Sequence, residues 1–148
     1  MTGRSETAMR RLVPDVVSNQ QQLLALPPTA TVRAAAKAMS ERHVGAVLVA
    51  ADGRLEGIFT ERDMVNRVVA EGRNPDQTTL AEVMTADPDT ASPNDTAIAA
   101  LRRMQDGGYR HLPIVDRGRL VGVVSRRDFH GEEKARLDEE SGLWEKIG

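Results

Sequence analysis

From Pro28 to Asp63 the chain repeats itself 65 positions later, without a gap, as Pro93 to Asp128. Eleven of the 36 aligned positions are identical: Pro28/Pro93, Thr31/Thr96, Ala34/Ala99, Ala35/Ala100, Met39/Met104, Gly53/Gly118, Arg54/Arg119, Leu55/Leu120, Gly57/Gly122, Arg62/Arg127 and Asp63/Asp128. Chance at ordinary composition gives about two. Other pairs are conservative, among them Val47/Leu112, Val49/Ile114, Ile58/Val123 and Thr60/Ser125. The strings "GIFTERDM" (57–64) and "GVVSRRDF" (122–129) show the shared pattern in full. Two copies of one supersecondary unit follow from this. A unit of roughly 50 residues buries too little apolar surface to stand alone. Two copies packed face to face with approximate twofold symmetry remove that limit and place matched residues in equivalent surroundings.

Each copy reads as helix, strand, strand, helix behind an extended lead-in rich in proline and threonine. The spacing predicts helices over 31–43 and 96–108, with hydroxyl residues at their starts. Their apolar positions are Val32, Ala35, Ala36 and Met39, then Ile98, Leu101 and Met104. Gly107-Gly108 ends the second helix. The runs 46–50 and 111–115 suit buried strands. Turns at 52–54 and 117–119 lead to returning strands at 55–59 and 120–124, so each copy holds a hairpin. A further helix follows Thr60 and stops at Gly72; its second-copy counterpart after Ser125 is more ragged.

The lead-ins, 16–30 and 82–95, differ: "VMT" (83–85) has no match in the first, which carries "SNQ" (18–20). Residues 71–80 are a polar connection. The expected organisation is a disordered leader at 1–14, a first unit at 15–72, a connection at 73–81, a second unit at 82–130 and a tail at 131–148. Apolar spacing at Leu137, Leu143, Trp144 and Ile147 makes the tail a short packing helix.

Composition narrows the function. Apolar residues make up 40% and charged residues 28% of the 148, as in a soluble globular protein. Aromatics are 3% and the formal net charge is −2, with no dense basic run, so base stacking and phosphate neutralisation on nucleic acid are not expected. There is no cysteine, which removes disulfides, a thiolate nucleophile and a thiolate zinc site. No apolar run approaches the ~18 residues of a membrane span, and the start of the chain has no apolar signal core. A cytoplasmic protein is expected. His43, His111 and His130 lack metal-ligand spacing, and neither a Gly-x-Ser-x-Gly nor a Walker A pattern occurs. "HGEE" (130–133) reads as a solvated helix end. An enzyme is not expected.

The repeated Thr60-x-x-Asp63 and Ser125-x-x-Asp128 stand where a strand meets a helix. One reading is structural: a capping box, with the acid favoured by the helix dipole. The other is functional. A carboxylate there can accept hydrogen bonds from a vicinal diol such as that of ribose. Backbone N–H groups, the Thr60 or Ser125 hydroxyl and a nearby guanidinium can hold phosphate. Asp, where Glu or Gln reaches better for a box, and Arg62 or Arg127 before it favour the second reading. Arg110 and His111 sit at the mouth of a second-copy strand, where Gly45 and Ala46 stand in the first. These two are either a solvated strand end or the sign of unequal phosphate-binding capacity.

The segments "RHVGAVLVAADGRLEGIFTERDM" (42–64), "EVMTADPDTASPNDTAIAALRRM" (82–104) and "GYRHLPIVDRGRLVGVVSRRDF" (108–129) together resemble a tandem pair of cystathionine beta-synthase (CBS) domains, the Bateman module. The likeness covers roughly residues 15 to 130. It implies an α/β (α+β) fold of two βαββα units packed as a pseudo-twofold pair, here with a helical tail. It further implies clefts for an adenosine-containing ligand: AMP, ADP, ATP, S-adenosylmethionine or NAD. Asp63 and Asp128 would take the ribose hydroxyls. Thr60, Arg62, Ser125 and Arg127 would face phosphate. Val44, Gly45, Ala46, Tyr109, Arg110 and His111 would line the adenine pocket or meet the phosphate. No cofactor or metal is required. A homodimer meeting helix to helix is implied, and a protein target fits such a sensor. The alternative is a module that binds a partner, or only packs, without ligand.

Overall fold

The computed structural model describes residues 10–129. His130, "HGEE", the tail with Leu137, Leu143, Trp144 and Ile147, and most of the leader lie outside the described residues. The fold is α+β. Two compact bodies divide it: Gln22–Asp89 with Arg117–Leu120, and a second made of the segments ending at Gln21, Thr90–Asp116 and the segment from Val121.

In the first body a short strand β1 (Ala25–Leu26) precedes helix α1 (Val32–Arg42). Thr31 keeps extended backbone and its side chain accepts a hydrogen bond from the Ala34 N–H at 3.1 Å, which fixes where α1 begins. The helix ends at His43, whose φ of 54° puts a non-glycine residue in the left-handed cap position; the Val44 N–H then returns to the Met39 carbonyl. Strands β2 (Ala46–Ala51) and β3 (Arg54–Thr60) form the hairpin. Asp52 and Gly53 both have positive φ (53° and 77°), the geometry of a two-residue turn that matches strand twist.

After Thr60, helix α2 (Glu61–Asp63) runs on through Met64–Val69 in a wider winding, with the Ala70 N–H on the Val65 carbonyl. Helix α3 (Leu80–Val83) starts in a Thr79/Glu82 capping box and leads to β4 (Thr85–Ala86). The sheet order is β1-β2-β3-β4, with β1 parallel to β2 and the other pairs antiparallel. Gly57 lets β4 approach: a Cβ there would lie 2.8 Å from the Thr85 carbonyl oxygen. Val32, Ala35, Met39, Val47, Val49, Phe59, Val68, Leu80 and Val83 form one core.

The second body repeats these devices. Helix α4 (Ala97–Gly107) starts at Thr96, which accepts from the Ala99 N–H, and ends at Gly108 with φ 72°. Strands β5 (His111–Asp116) and β6 (Arg119–Ser125) turn at Arg117-Gly118, again with positive φ. Leu12, Val17, Ala91, Ala97, Ala100, Leu101, Met104, Leu112, Ile114, Val124 and Phe129 are its core. Ile98, expected in the buried stripe, is half-buried, and Ala97 takes the inward place. The reason is register: Ala97, Ala100, Leu101 and Met104 keep i, i+3, i+4, i+7 spacing, and Ala97 is the repeat partner of Val32.

The lead-ins cross over. Leu80 and Ala81 donate to the carbonyls of Ala30 and Pro28 in the first copy, whereas Leu12 and Val13 donate to those of Asp95 and Pro93 in the second. The segment before copy one therefore completes copy two, and the segment before copy two completes copy one. The completion differs in kind. On β3 the strand β4 pairs through its backbone, at Ile58 and Gly57. On β6 the side-chain amide of Gln21 replaces it: Nε2 donates to the Val123 carbonyl and Oε1 accepts from the Val123 N–H, both at 3.0 Å. Gln21→Ala strands both groups and should lower unfolding free energy by about 1–3 kcal/mol. A urea midpoint equal to that of the unaltered chain would show that water replaces the amide at no loss.

Candidate functional site

In the first body, Thr60 ends β3 in extended conformation (φ −116°, ψ 168°), and the chain turns there into α2. The Asp63 N–H donates to Thr60 Oγ1 at 3.2 Å, and Asp63 Oδ2 accepts from the Thr60 N–H at 3.0 Å and from its hydroxyl at 3.1 Å. In the second body, Ser125 ends β6 with φ −105°, ψ 151°, and a 3-10 turn, Arg126–Asp128, follows. Asp128 Oδ2 accepts from the Ser125 N–H at 2.7 Å, and Ser125 Oγ accepts from the Arg127 N–H at 3.4 Å. The capping box is thus realised in both copies. It commits one carboxylate oxygen of each Asp and leaves the second to other partners.

The mouth of each hairpin is tied to its helix start. Ala46 pairs with Thr60, and the Glu61 N–H donates to the Gly45 carbonyl at 3.0 Å. In the same way the Arg126 N–H donates to the Arg110 carbonyl at 2.9 Å. Val44, Gly45, Ala46, Thr60, Arg62 and Asp63 therefore share one corner. Tyr109, Arg110, His111, Ser125, Arg127 and Asp128 share the matching one. Each set lies within its own body, and the structure brings together the members of a set. Val44 and Tyr109 are half-buried at the edge of their cores. The Tyr109 ring covers Gly107, where it leaves no room for a Cβ. Arg62, Arg110 and Arg127 are exposed, and His111 is half-buried.

Two residues outside the expected set enter the first corner. The Thr85 hydroxyl, carried in by β4, donates to Asp63 Oδ1 at 3.4 Å. Arg67, one turn beyond Asp63, has Nε 3.8 Å from the same oxygen, while its Nη1 donates to the carbonyls of Val83 (3.1 Å) and Met84 (2.8 Å). The Asp63 side chain is left 12% exposed. The i, i+4 spacing of Asp63 and Arg67 is the sequence signal for that pair; Thr85 had none beyond the unmatched "VMT". Among the described residues Asp128 accepts one hydrogen bond, from Ser125. Three guanidinium groups, of Arg110, Arg126 and Arg127, stand within three residues of the paired backbone contact that ties hairpin to turn.

These features define a duplicated α+β module with an acid-bearing corner in each copy. The family model for the CBS domain matches residues 8–70 and 80–132. The chain belongs to the CBS domain family and carries a tandem pair. It is 38% identical over 102 residues, 68% of its length, to CBS domain-containing protein CBSCBSPB3 of Arabidopsis thaliana. It spans about a fifth of the length of the Arabidopsis relatives of this type that it matches. It is 37% identical over 108 residues to CBS domain-containing protein YhcV of Bacillus subtilis, covering 73% of this chain and 76% of that one. The structure of CBS domain protein PAE2072 from Pyrobaculum aerophilum complexed with AMP superposes with a TM-score of 0.72 at 28% identity, covering 81% of this chain and 94% of that one. Among the described residues no helix is long and apolar enough to cross a membrane.

Proposed function

We propose that the chain is a regulatory module that binds an adenosine-containing nucleotide (AMP, ADP, ATP or NAD) and does not turn it over. The observation that carries this reading is the state of Asp128. Its carboxylate is held in place by the Ser125 N–H through one oxygen, and its other oxygen takes no hydrogen bond from the described residues. A carboxylate so placed accepts from a ribose diol, and the guanidinium groups of Arg110 and Arg127 supply charge for the attached phosphate. The AMP in the related PAE2072 structure supports the same ligand class. Binding to the folded state should raise the melting temperature in proportion to the logarithm of ligand concentration. Thermal melts with AMP, ATP and NAD at millimolar levels test this, and three unchanged melts would refute it.

The same module should pair with a second copy of itself through its helices. Val65 and Val69, one turn apart, are 58% and 70% exposed, a face that water covers poorly. Ala34 is exposed and Ala36, Ala38, Ile98 and Ala99 are half-buried, so α1 and α4 carry apolar surface beyond the stripe that meets the sheet. A closed twofold pair is the commonest way to cover such surface. Light scattering at micromolar concentration should give twice the 16.2 kDa chain mass; the monomer mass, unchanged by nucleotide, would overturn the dimer.

A further inference from the structure

The helix after Thr60 divides its valines between core and surface. α2 (Glu61–Asp63) continues as the wider winding Met64–Val69, in which the Ala70 N–H reaches the Val65 carbonyl. Such winding is rare and gathers at functional sites. In an α-helix residues three apart share a face. Here Val68 is buried, at 2% exposure, while Val65 and Val69 are 58% and 70% exposed. The wider winding rotates Val65 away from Val68 and keeps it in line with Val69, so one valine enters the core and two face outward. Arg62, Asn66, Ala70 and Glu71 around them are exposed as well. The positions that repeat Val65 and Val69 are His130 and Lys134, so the chain carries this valine pair once.

We infer that the dimer is head to head: α2 and its continuation in one molecule lie antiparallel on the same segment of a second molecule, with Val65 against the partner's Val69. The inference rests on the dimer reading above. In a closed twofold pair, a residue i that touches residue j is matched by j touching i. A valine pair that occurs once per chain is therefore covered by valine only when first copy meets first copy. Charge fixes the direction. The segment begins with the exposed Glu61-Arg62 and ends with the exposed Glu71 and Arg73, the last of which also bridges Glu82 within its own chain. Antiparallel pairing sets Arg62 by the partner's Glu71 and Glu61 by the partner's Arg73. Parallel pairing sets Glu61 by the partner's Glu61 and Arg62 by the partner's Arg62, and like charges so placed oppose association. The helix that Thr60 and Asp63 cap is then also the element through which a change at the first corner reaches the partner.

The chain has no cysteine, so introduced cysteines report this contact alone. Arg62→Cys and Glu71→Cys chains, mixed and left to exchange at micromolar concentration, should form a disulfide between molecules under mild oxidant. Arg62→Cys alone should not, because antiparallel pairing holds the two copies of that position about 10 Å or more apart, beyond disulfide reach. Val69→Lys sets two cations at the centre of the contact. It should reduce the light-scattering mass from twice 16.2 kDa to the chain mass, with far-UV circular dichroism unchanged, since Val69 lies outside the core. A dimer that survives Val69→Lys, or one in which Arg62→Cys alone links or the mixture does not, overturns the head-to-head arrangement while leaving the dimer reading intact. An unaltered chain that scatters as a monomer removes the dimer reading, and this inference with it.

Discussion

Replacing Phe59 with alanine should lower the unfolding free energy by about 3–5 kcal/mol. Among the described residues Phe59 is the largest side chain that is fully buried, and it lies in the core shared by α1, β2, β3 and α3. Removing the ring withdraws its apolar surface from burial and leaves a void, and both terms oppose folding. The neighbours that would have to close that void come from four separate elements, Met39, Val47, Val68 and Leu80 among them, so collapse around it is incomplete. The residue also directly precedes Thr60, so loosening β3 here loosens the end of the strand that sets the first corner. The repeat partner Val124 is equally buried but smaller, and Val124→Ala should cost less. Urea unfolding of both variants decides the matter. A loss for Phe59→Ala no greater than that for Val124→Ala would contradict the packing described.

Asp128→Ala and Asp63→Ala should separate affinity from stability. Loss of Asp128 removes an anionic acceptor for the ribose and should weaken nucleotide binding by on the order of 1.5–3 kcal/mol, or roughly tenfold to a hundredfold. Loss of Asp63 removes the acceptor of three hydrogen bonds, from the Thr60 N–H, the Thr60 hydroxyl and Thr85, and should act mainly on folding. Both variants lose a cap, which alone is worth about 1 kcal/mol, so chemical denaturation has to accompany each titration. The expected pattern is a larger affinity loss for Asp128→Ala and a larger stability loss for Asp63→Ala. Equal affinity losses in the two would contradict the asymmetry.

The repeat made much of this legible in advance. Thr31 and Thr96 mark helix starts because a hydroxyl side chain can satisfy a free N–H, and Asp52-Gly53 marks a hairpin because few residues tolerate positive φ; both signals are local. The paired corners were legible for the same reason, since hairpin mouth and helix start are joined by a short stretch of chain. The left-handed cap at His43 was not, because glycine usually holds that place, as Gly108 does. The crossing of the lead-ins left no periodic trace. Strands of two residues, such as β4, are too short to alternate, and the partner of Gln21 is 102 positions away. Thr85 was hidden for this reason: its contact with Asp63 comes from strand pairing, which a single sequence does not encode as spacing. Arg67 was within reach of helical spacing but lay beyond the aligned repeat.

The crossed lead-ins also set an order of events during synthesis. Residues of the first copy meet their partners Leu80 and Ala81 soon after they are made, so most of that body can close early. The segment around Leu12 emerges before everything it binds. Its backbone groups and apolar side chains wait in solution until Pro93 and Asp95 are made, and Gln21 waits longer still, for Val123. Through that interval the nascent chain carries a first half whose local partners are in place and a loose apolar end that fits the missing half of any neighbouring copy. Two chains growing side by side on one messenger could exchange these ends, which makes translation speed across the second copy a determinant of how much swapped product forms.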